Sequence, residues 1–275
     1  MSVITEQDFV QSIADALQYI SYYHSEDFIR ALGEAYAREE APAARDAMLQ
    51  ILTSSKMSAF GQRPICQDTG IVVAFVKIGM NVRWQTRSTI EEMVNAGVRL
   101  AYTHPDNPLR ASIVADPAGK RINTRDNAPA VIHISTAPGE QVEFSIAAKG
   151  GGSENKARLA MLNPSDSVVD WVLATVPGMG AGWCPPGVLG IGIGGSAEKA
   201  MLLAKESLME DLDMAQSRLS WHLKTLADAG IIRSRREGRW NYYTLDQDAL
   251  TEAHDIIAGL RNGRRLTVKA SACCA

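Results

Sequence analysis

The chain has 275 residues, 46% hydrophobic, 21% charged and 6% aromatic, an ordinary globular composition that excludes a disordered, collagenous or coiled-coil protein and leaves room for one large domain or two smaller ones. Its 28 basic and 31 acidic residues give a net charge of −3, but ten of the basic and six of the acidic residues fall from Ala215 onward, so a positive C-terminal stretch follows a negative body. The longest apolar runs, residues 71–75 and 188–193, are far shorter than the roughly 20 residues that span a bilayer, and the acidic start is unlike a secretory leader, which predicts a cytoplasmic protein with no membrane partner.

Three helices are predicted first: residues 5–19, a helix starting at Ser25 with Glu26 and Asp27 in its first turn, and residues 42–52, opened by Pro42. Proline suits the first helical position and acidic first turns suit the helix dipole. After Ile65 the period changes. Residues 71–77 are a β-rich run, 88–102 a helix started by Ser88-Thr89 with Glu91 and Glu92 behind it, and 131–134 and 142–146 short strands. A further helical pattern covers 196–208. The predicted fold class is α+β, with helices leading and a mixed sheet following. From 217 to 229 the apolar residues Leu219, Leu223 and Leu226 mark one face of a helix that Gly230 stops. Residues 231–234 and 240–245 then bracket Arg235, Arg236, Glu237, Gly238 and Arg239 as a β-hairpin with arginines at its tip, and 248–260 form a last helix.

Four clusters sit in loops or at strand ends, where chemistry is commonly placed. They are Cys66-Gln67-Asp68-Thr69-Gly70, Asn107-Pro108-Leu109-Arg110, Lys149 to Lys156 with its triple glycine, and Gly182-Trp183-Cys184-Pro185-Pro186-Gly187. A lone cysteine is commonly a small buried hydrophobe and triple glycine a turn. Against that, Cys66 is followed at once by an amide and a carboxylate, and Cys184 is held between Trp183 and two prolines, contexts that suit a thiolate ligand. Gly150 to Gly152 leave backbone N–H groups open to a small anion, with Lys149 and Lys156 adding charge. The run Gly190-Ile191-Gly192-Ile193-Gly194-Gly195 fits a dinucleotide fingerprint, but the prolines at 185 and 186 leave little room for the strand it requires; glycines that let a helix pack closely are the other reading.

The motifs Cys-Gln-Asp-Thr-Gly at 66–70, Asn-Thr-Arg-Asp-Asn-Ala-Pro-Ala at 123–130, Lys-Gly-Gly-Gly-Ser-Glu-Asn-Lys at 149–156, Met-Leu-Asn-Pro-Ser-Asp at 161–166 and Gly-Trp-Cys-Pro-Pro-Gly at 182–187 resemble the class I, iron-sulfur fumarate hydratases and the α subunit of the related tartrate dehydratase. The resemblance covers residues 1–213. It implies a hydro-lyase acting on a small dicarboxylate or hydroxy-diacid through a [4Fe-4S] cluster whose open iron works as a Lewis acid. Cys66 and Cys184 would be cluster ligands, Gln67 and Asp68 substrate contacts, Arg110 a bidentate carboxylate clamp, and Gly150, Gly151 and Gly152 a backbone wall. The family's third cluster cysteine and its later arginines, threonine base and lysine should follow Asp213, and their motifs do not occur there, so no catalytic residue is assigned. The expectation is a truncated domain that turns over poorly alone or needs a separate chain to supply the other half.

The second segment, 214–275, resembles the ArsR family of metalloid-responsive winged-helix repressors through Gln216 to Leu226 and Gly230 to Tyr243. That implies a partial winged helix-turn-helix that forms a homodimer and binds duplex DNA, with Ser217, Arg218, Ser220 and His222 facing DNA and Arg235, Arg236 and Arg239 on phosphates. The vicinal Cys273 and Cys274 would, with a third thiolate, suit arsenite or another soft ion. Asp213 to Gln216 join the two segments without a Gly, Ser or Pro linker. The sequence therefore reads as a chimera of two fragments, with a metalloid- or thiol-responsive transcriptional regulator and a non-functional fusion product as alternatives to the hydro-lyase.

Overall fold

The computed structural model describes residues 3–180, 182–183, 187–210 and 212, and the strand positions 232–237 and 240–245. It divides into two compact units, Met1–Glu210 and Asp211–Ala275. Among the described residues no helix is long and apolar enough to cross a membrane.

The first unit opens with β1 (Val3–Thr5), which pairs in parallel with β3 (Arg83–Gln85). Helix α1 (Glu6–Tyr22) starts where the Thr5 hydroxyl accepts the Asp8 N–H at 3.1 Å, giving one of the first-turn amides a partner. Its Phe9, Ile13 and Leu17, one helical face, are buried. Helix α2 (Glu26–Arg38) follows Ser25, and α3 is longer than predicted, running Pro42–Gly61 instead of ending at 52. The polar run Thr53-Ser54-Ser55 does not stop it. Ser55 is buried and its hydroxyl pairs with His24 Nδ1 at 3.0 Å, a tertiary contact that outweighs the modest propensity penalty of these residues.

Strand β2 (Ile71–Gly79) is the centre of a three-stranded mixed sheet, parallel to β6 (Val131–Ala137) and antiparallel to β7 (Val142–Lys149). Val72, Val73, Ala74 and Val76 are all buried, as a central strand covered on both faces requires. Although β6 and β7 are neighbours in sequence they straddle β2, and the link between them crosses its end. There Gly79 N–H donates to Gln141 O, Met80 N–H to Ala137 O and Asn81 N–H to Gly139 O. A Cβ at Gly79 would lie 2.5 Å from Gly139 O, so the crossing needs glycine.

Helix α4 (Ile90–Tyr102) begins with a full capping box between Thr89 and Glu92. It packs with α1 on the sheet, and Ile13, Leu17, Val72, Val76, Val94 and Val98 form the centre of the core. A short antiparallel pair, β4 (Val114–Ala115) with β5 (Ile122–Asn123), follows, then α5 (Gly151–Glu154), α6 (Val168–Thr175) and α7 (Ala197–Ser207), whose Ser196 cap accepts the Lys199 N–H.

In the second unit, β8 (Ile232–Glu237) and β9 (Trp240–Leu245) form an antiparallel hairpin. This corrects the predicted bounds of the first strand, 231–234. Arg235 and Arg236 lie on the ladder opposite Tyr242 and Asn241 instead of in the turn, because only two positions, 238 and 239, separate the strands. The predicted helices at 217–229 and 248–260 lie outside the described residues, as do Ser217, Arg218, Ser220, His222, Arg239, Cys273 and Cys274.

Candidate functional site

The loop that carries Cys66 leads directly into β2. Cys66 is exposed, its thiol donates to Gln67 Oε1 at 3.6 Å, and the Asp68 N–H donates to Cys66 Sγ at 3.4 Å. An exposed thiol that accepts a backbone N–H differs from the small buried hydrophobe that a lone cysteine commonly is. Among the described residues no three His, Cys, Asp or Glu side chains gather as a metal group. Cys184 lies outside them.

The loop ends against the glycine turn. Gly70, at φ +84°, has no room for a side chain: a Cβ would fall 2.5 Å from the Ala148 carbonyl carbon. A Cβ at Gly150 would lie 2.8 Å from Asp68 Oδ2, so the Asp68 carboxylate lies directly against the Gly150 backbone. Gly152 meets Gly182 in the same way, with a Cβ position 2.6 Å from Gly182 O. The stretch that leads to Cys184 therefore runs against the turn that Asp68 also touches. Gln67 and the Arg110 side chain are exposed, and the Arg110 carbonyl accepts the Thr69 hydroxyl, which ties the arginine's loop to the cysteine's.

Lys149, expected to add charge beside the glycine turn, is engaged by neighbouring side chains. Its ammonium contacts Glu154 at 3.3 Å and Ser153 Oγ at 3.2 Å, and Lys205 of α7 reaches the same carboxylate at 2.6 Å. Burial acts to raise the Glu154 pKa, but the hydrogen bond and charge of Lys205, and then Lys149, outweigh it and hold the carboxyl below its ordinary value. Burial lowers Lys149, with Glu154 opposing it. These groups line a cleft of about 660 Å³ together with Trp171, Trp183 and the 187–192 segment. The glycines at 190 and 192 are packing positions. Cβ atoms there would lie 2.2 Å from Ala204 O and 2.0 Å from Ala200 O, so that segment presses on the backbone of α7.

Two residues that the sequence did not single out hold the site in place. Tyr102, at the end of α4, donates to Thr69 O at 2.7 Å and lies 3.3 Å from Gly70 O. Burial pushes its hydroxyl pKa up to about 12, so it remains a donor through the neutral range. Asn127, fully buried, donates to Gly70 O at 3.0 Å and accepts from Ser112 N–H at 2.6 Å and Ile113 N–H at 3.2 Å. Its place inside the 123–130 motif was the available signal.

A thiol, a carboxylate against a glycine turn and an arginine loop thus stand together at the end of a mixed sheet. The fumarate hydratase (Fumerase) family matches residues 10–229, and the chain belongs to that family. The match crosses the boundary expected at residue 213 and takes in 214–229. The chain is 34% identical over 206 residues to the putative L(+)-tartrate dehydratase subunit alpha of Methanocaldococcus jannaschii, covering 73% of this chain and 72% of that protein. It is 34% identical over 159 residues to the anaerobic class I fumarate hydratase of Escherichia coli, covering 56% of this chain and 28% of the relative. With fumarate hydratase 2 of Leishmania major the identity is 28% over 241 residues, 86% of this chain and 40% of the relative. The chain thus spans most of the tartrate dehydratase subunit and well under half of these two fumarate hydratases.

Proposed function

We propose that residues 1–213 form the cluster-bearing part of an iron-sulfur hydro-lyase that adds water to, or removes it from, a small dicarboxylate or hydroxy-diacid such as fumarate or tartrate. The observation that carries this reading is the contact of the Asp68 carboxylate with the Gly150 backbone beside the exposed Cys66 thiol. Cys66 and Cys184 would be two of the thiolate ligands of a [4Fe-4S] cluster, the family's third cysteine motif not occurring in this sequence, and the cluster would supply a Lewis acid for the substrate's carboxylate and hydroxyl. The Asp68 N–H steadies the Cys66 sulfur. The Gln67 amide and the Asp68 carboxylate meet the substrate's polar groups, and Arg110 grips a carboxylate with its planar fork. Gly150 to Gly152 form a wall without side chains, so backbone N–H groups can approach the anion. The M. jannaschii relative is by name a subunit, and this chain likewise works with a second chain, turning over poorly without it.

The test is anaerobic reconstitution of the full chain with ferrous iron and sulfide, followed by titration with fumarate and tartrate while the paramagnetic resonance of the reduced protein is recorded. The expected result is bound iron and acid-labile sulfide with a signal that one of the diacids changes. Gly150→Ala should displace the Asp68 carboxylate, the movable end of a side chain, with a stability change under about 1 kcal/mol and a roughly tenfold weaker diacid response. A signal indifferent to every diacid tried would refute the substrate class.

A second reading concerns residues 214–275 and is favoured by the β8–β9 hairpin, whose first strand carries Arg235 and Arg236. In it this segment is the wing of a DNA-contacting module that pairs as a homodimer, with Cys273 and Cys274 as soft-ion ligands. Duplex affinity should fall steeply with salt and weaken when both arginines are replaced by alanine. Equal binding of the double variant would remove the reading.

A further inference from the structure

The Cys66, Gln67 and Asp68 end of the Cys66–Gly70 loop is partly or fully exposed. What fixes it is a set of buried donors on other elements. We infer that Tyr102 and Asn127 are positioning residues that clamp the Thr69 and Gly70 carbonyls and so set where Cys66 and Asp68 stand against Gly150 and against the Arg110 loop.

The geometry is specific. The Tyr102 hydroxyl reaches both carbonyls from the C-terminal end of α4, and its ring is buried in the core cluster. α4 is therefore a rigid arm that ends at the loop. Asn127 uses both ends of its amide: Nδ2–H donates to Gly70 O, and Oδ1 accepts both Ser112 N–H and Ile113 N–H. One side chain thus joins the cysteine loop to the backbone just after Arg110, 57 residues away in sequence from Gly70 and 15 from Ser112. Asn127 itself sits at φ +59°, a left-handed conformation that asparagine tolerates better than most residues. Neighbouring contacts support it: Arg99 pairs with Asp126 at 3.1 Å and Asn95 Oδ1 accepts the Ala130 N–H at 2.8 Å, both from α4. A buried polar network in which every member has a partner rigidifies what it touches, whereas leaving one carbonyl without its donor frees the segment.

This inference rests on the hydro-lyase reading for its purpose but not for its test. Amide hydrogen exchange of the full chain, without metal, is compared for the native protein, Tyr102→Phe and Asn127→Gly. Phenylalanine keeps the ring in the core and removes only the hydroxyl; glycine keeps the left-handed backbone accessible and removes only the amide. Tyr102→Phe should speed exchange in the peptide spanning 66–70 by about tenfold and leave 111–113 unchanged, while Asn127→Gly should speed both by a similar factor. Peptides from α1 should keep the native rate in each. Reconstituted with iron and sulfide, both variants should retain less acid-labile sulfide per chain than the native protein. Native exchange at 66–70 in Tyr102→Phe would overturn the inference, and so would faster exchange spread evenly through α1 and α4. If the native chain holds no sulfide, the hydro-lyase reading fails, and the exchange pattern still decides the clamp.

Discussion

Gly97→Leu is expected to leave the chain without a stable first unit. Gly97 lies in α4 where that helix crosses α1, and even a Cβ there would stand 2.6 Å from Ile13 Cβ, 2.7 Å from Ile13 Cγ2 and 2.8 Å from the Val10 carbonyl oxygen. Two of those neighbours are a backbone atom and a branched carbon fixed at its own Cα, so neither can swing away. Gly97→Ala gains about 1 kcal/mol of helix propensity but forces the helices apart, for a net loss of about 1–3 kcal/mol. Leucine adds three more carbons to the same contact, and the loss becomes comparable with the roughly 5–15 kcal/mol that holds a domain folded. Denaturant midpoints of the two variants measure this. Gly33 in α2 provides the control: nothing lies within 4 Å of its Cβ position. Gly33→Ala should therefore stabilise by about 0.5–1 kcal/mol. A gain in stability from Gly97→Ala would show that α1 and α4 do not cross as closely as the structure has them.

Cys66→Ser is the substitution with the largest expected effect on the proposed chemistry. The serine hydroxyl is nearly the shape of the thiol and would accept the Asp68 N–H in its place, so loop geometry and thermal stability should stay close to native. What is lost is a soft, ionisable sulfur. Iron and acid-labile sulfide retained after anaerobic reconstitution and desalting should drop to the level of a protein without a site. The same is expected of Cys184→Ser. If the double variant retained native amounts of both, the cluster would have to be held elsewhere or not at all, and the proposed function would fall with it.

Much of the local structure could be read along the chain because its determinants lie within one helical turn. The Thr5, Thr89 and Ser196 caps each bind an amide three residues on, and such i to i+3 bonds need no knowledge of the rest of the fold. The α3 end and the path of β6 and β7 were less accessible. Ser55 is helical partly because of His24, 31 residues earlier, and adjacent strands that bracket a third are indistinguishable by pattern from a hairpin. Lys149 illustrates the limit for the site. By sequence it is a charge beside a glycine turn, but the partner that engages its carboxylate neighbour is Lys205, 51 residues beyond Glu154.

The sequence alone determined the leading helices, α4 and the central strands β2, β6 and β7, which short motifs carry the thiols, carboxylate and arginine, and the resemblance to the fumarate hydratases, because cap chemistry, hydrophobic period and motif wording are all written over a few consecutive residues. Only the tertiary structure decided that Asp68 meets Gly150, that Arg110's loop is tied to Thr69, that Tyr102 donates to the Thr69 and Gly70 carbonyls, and that Asn127 bonds both loops. Those contacts link residues dozens of positions apart. They exist because α1 and α4 bury their apolar faces on the same sheet and so carry distant polar groups into hydrogen-bonding range.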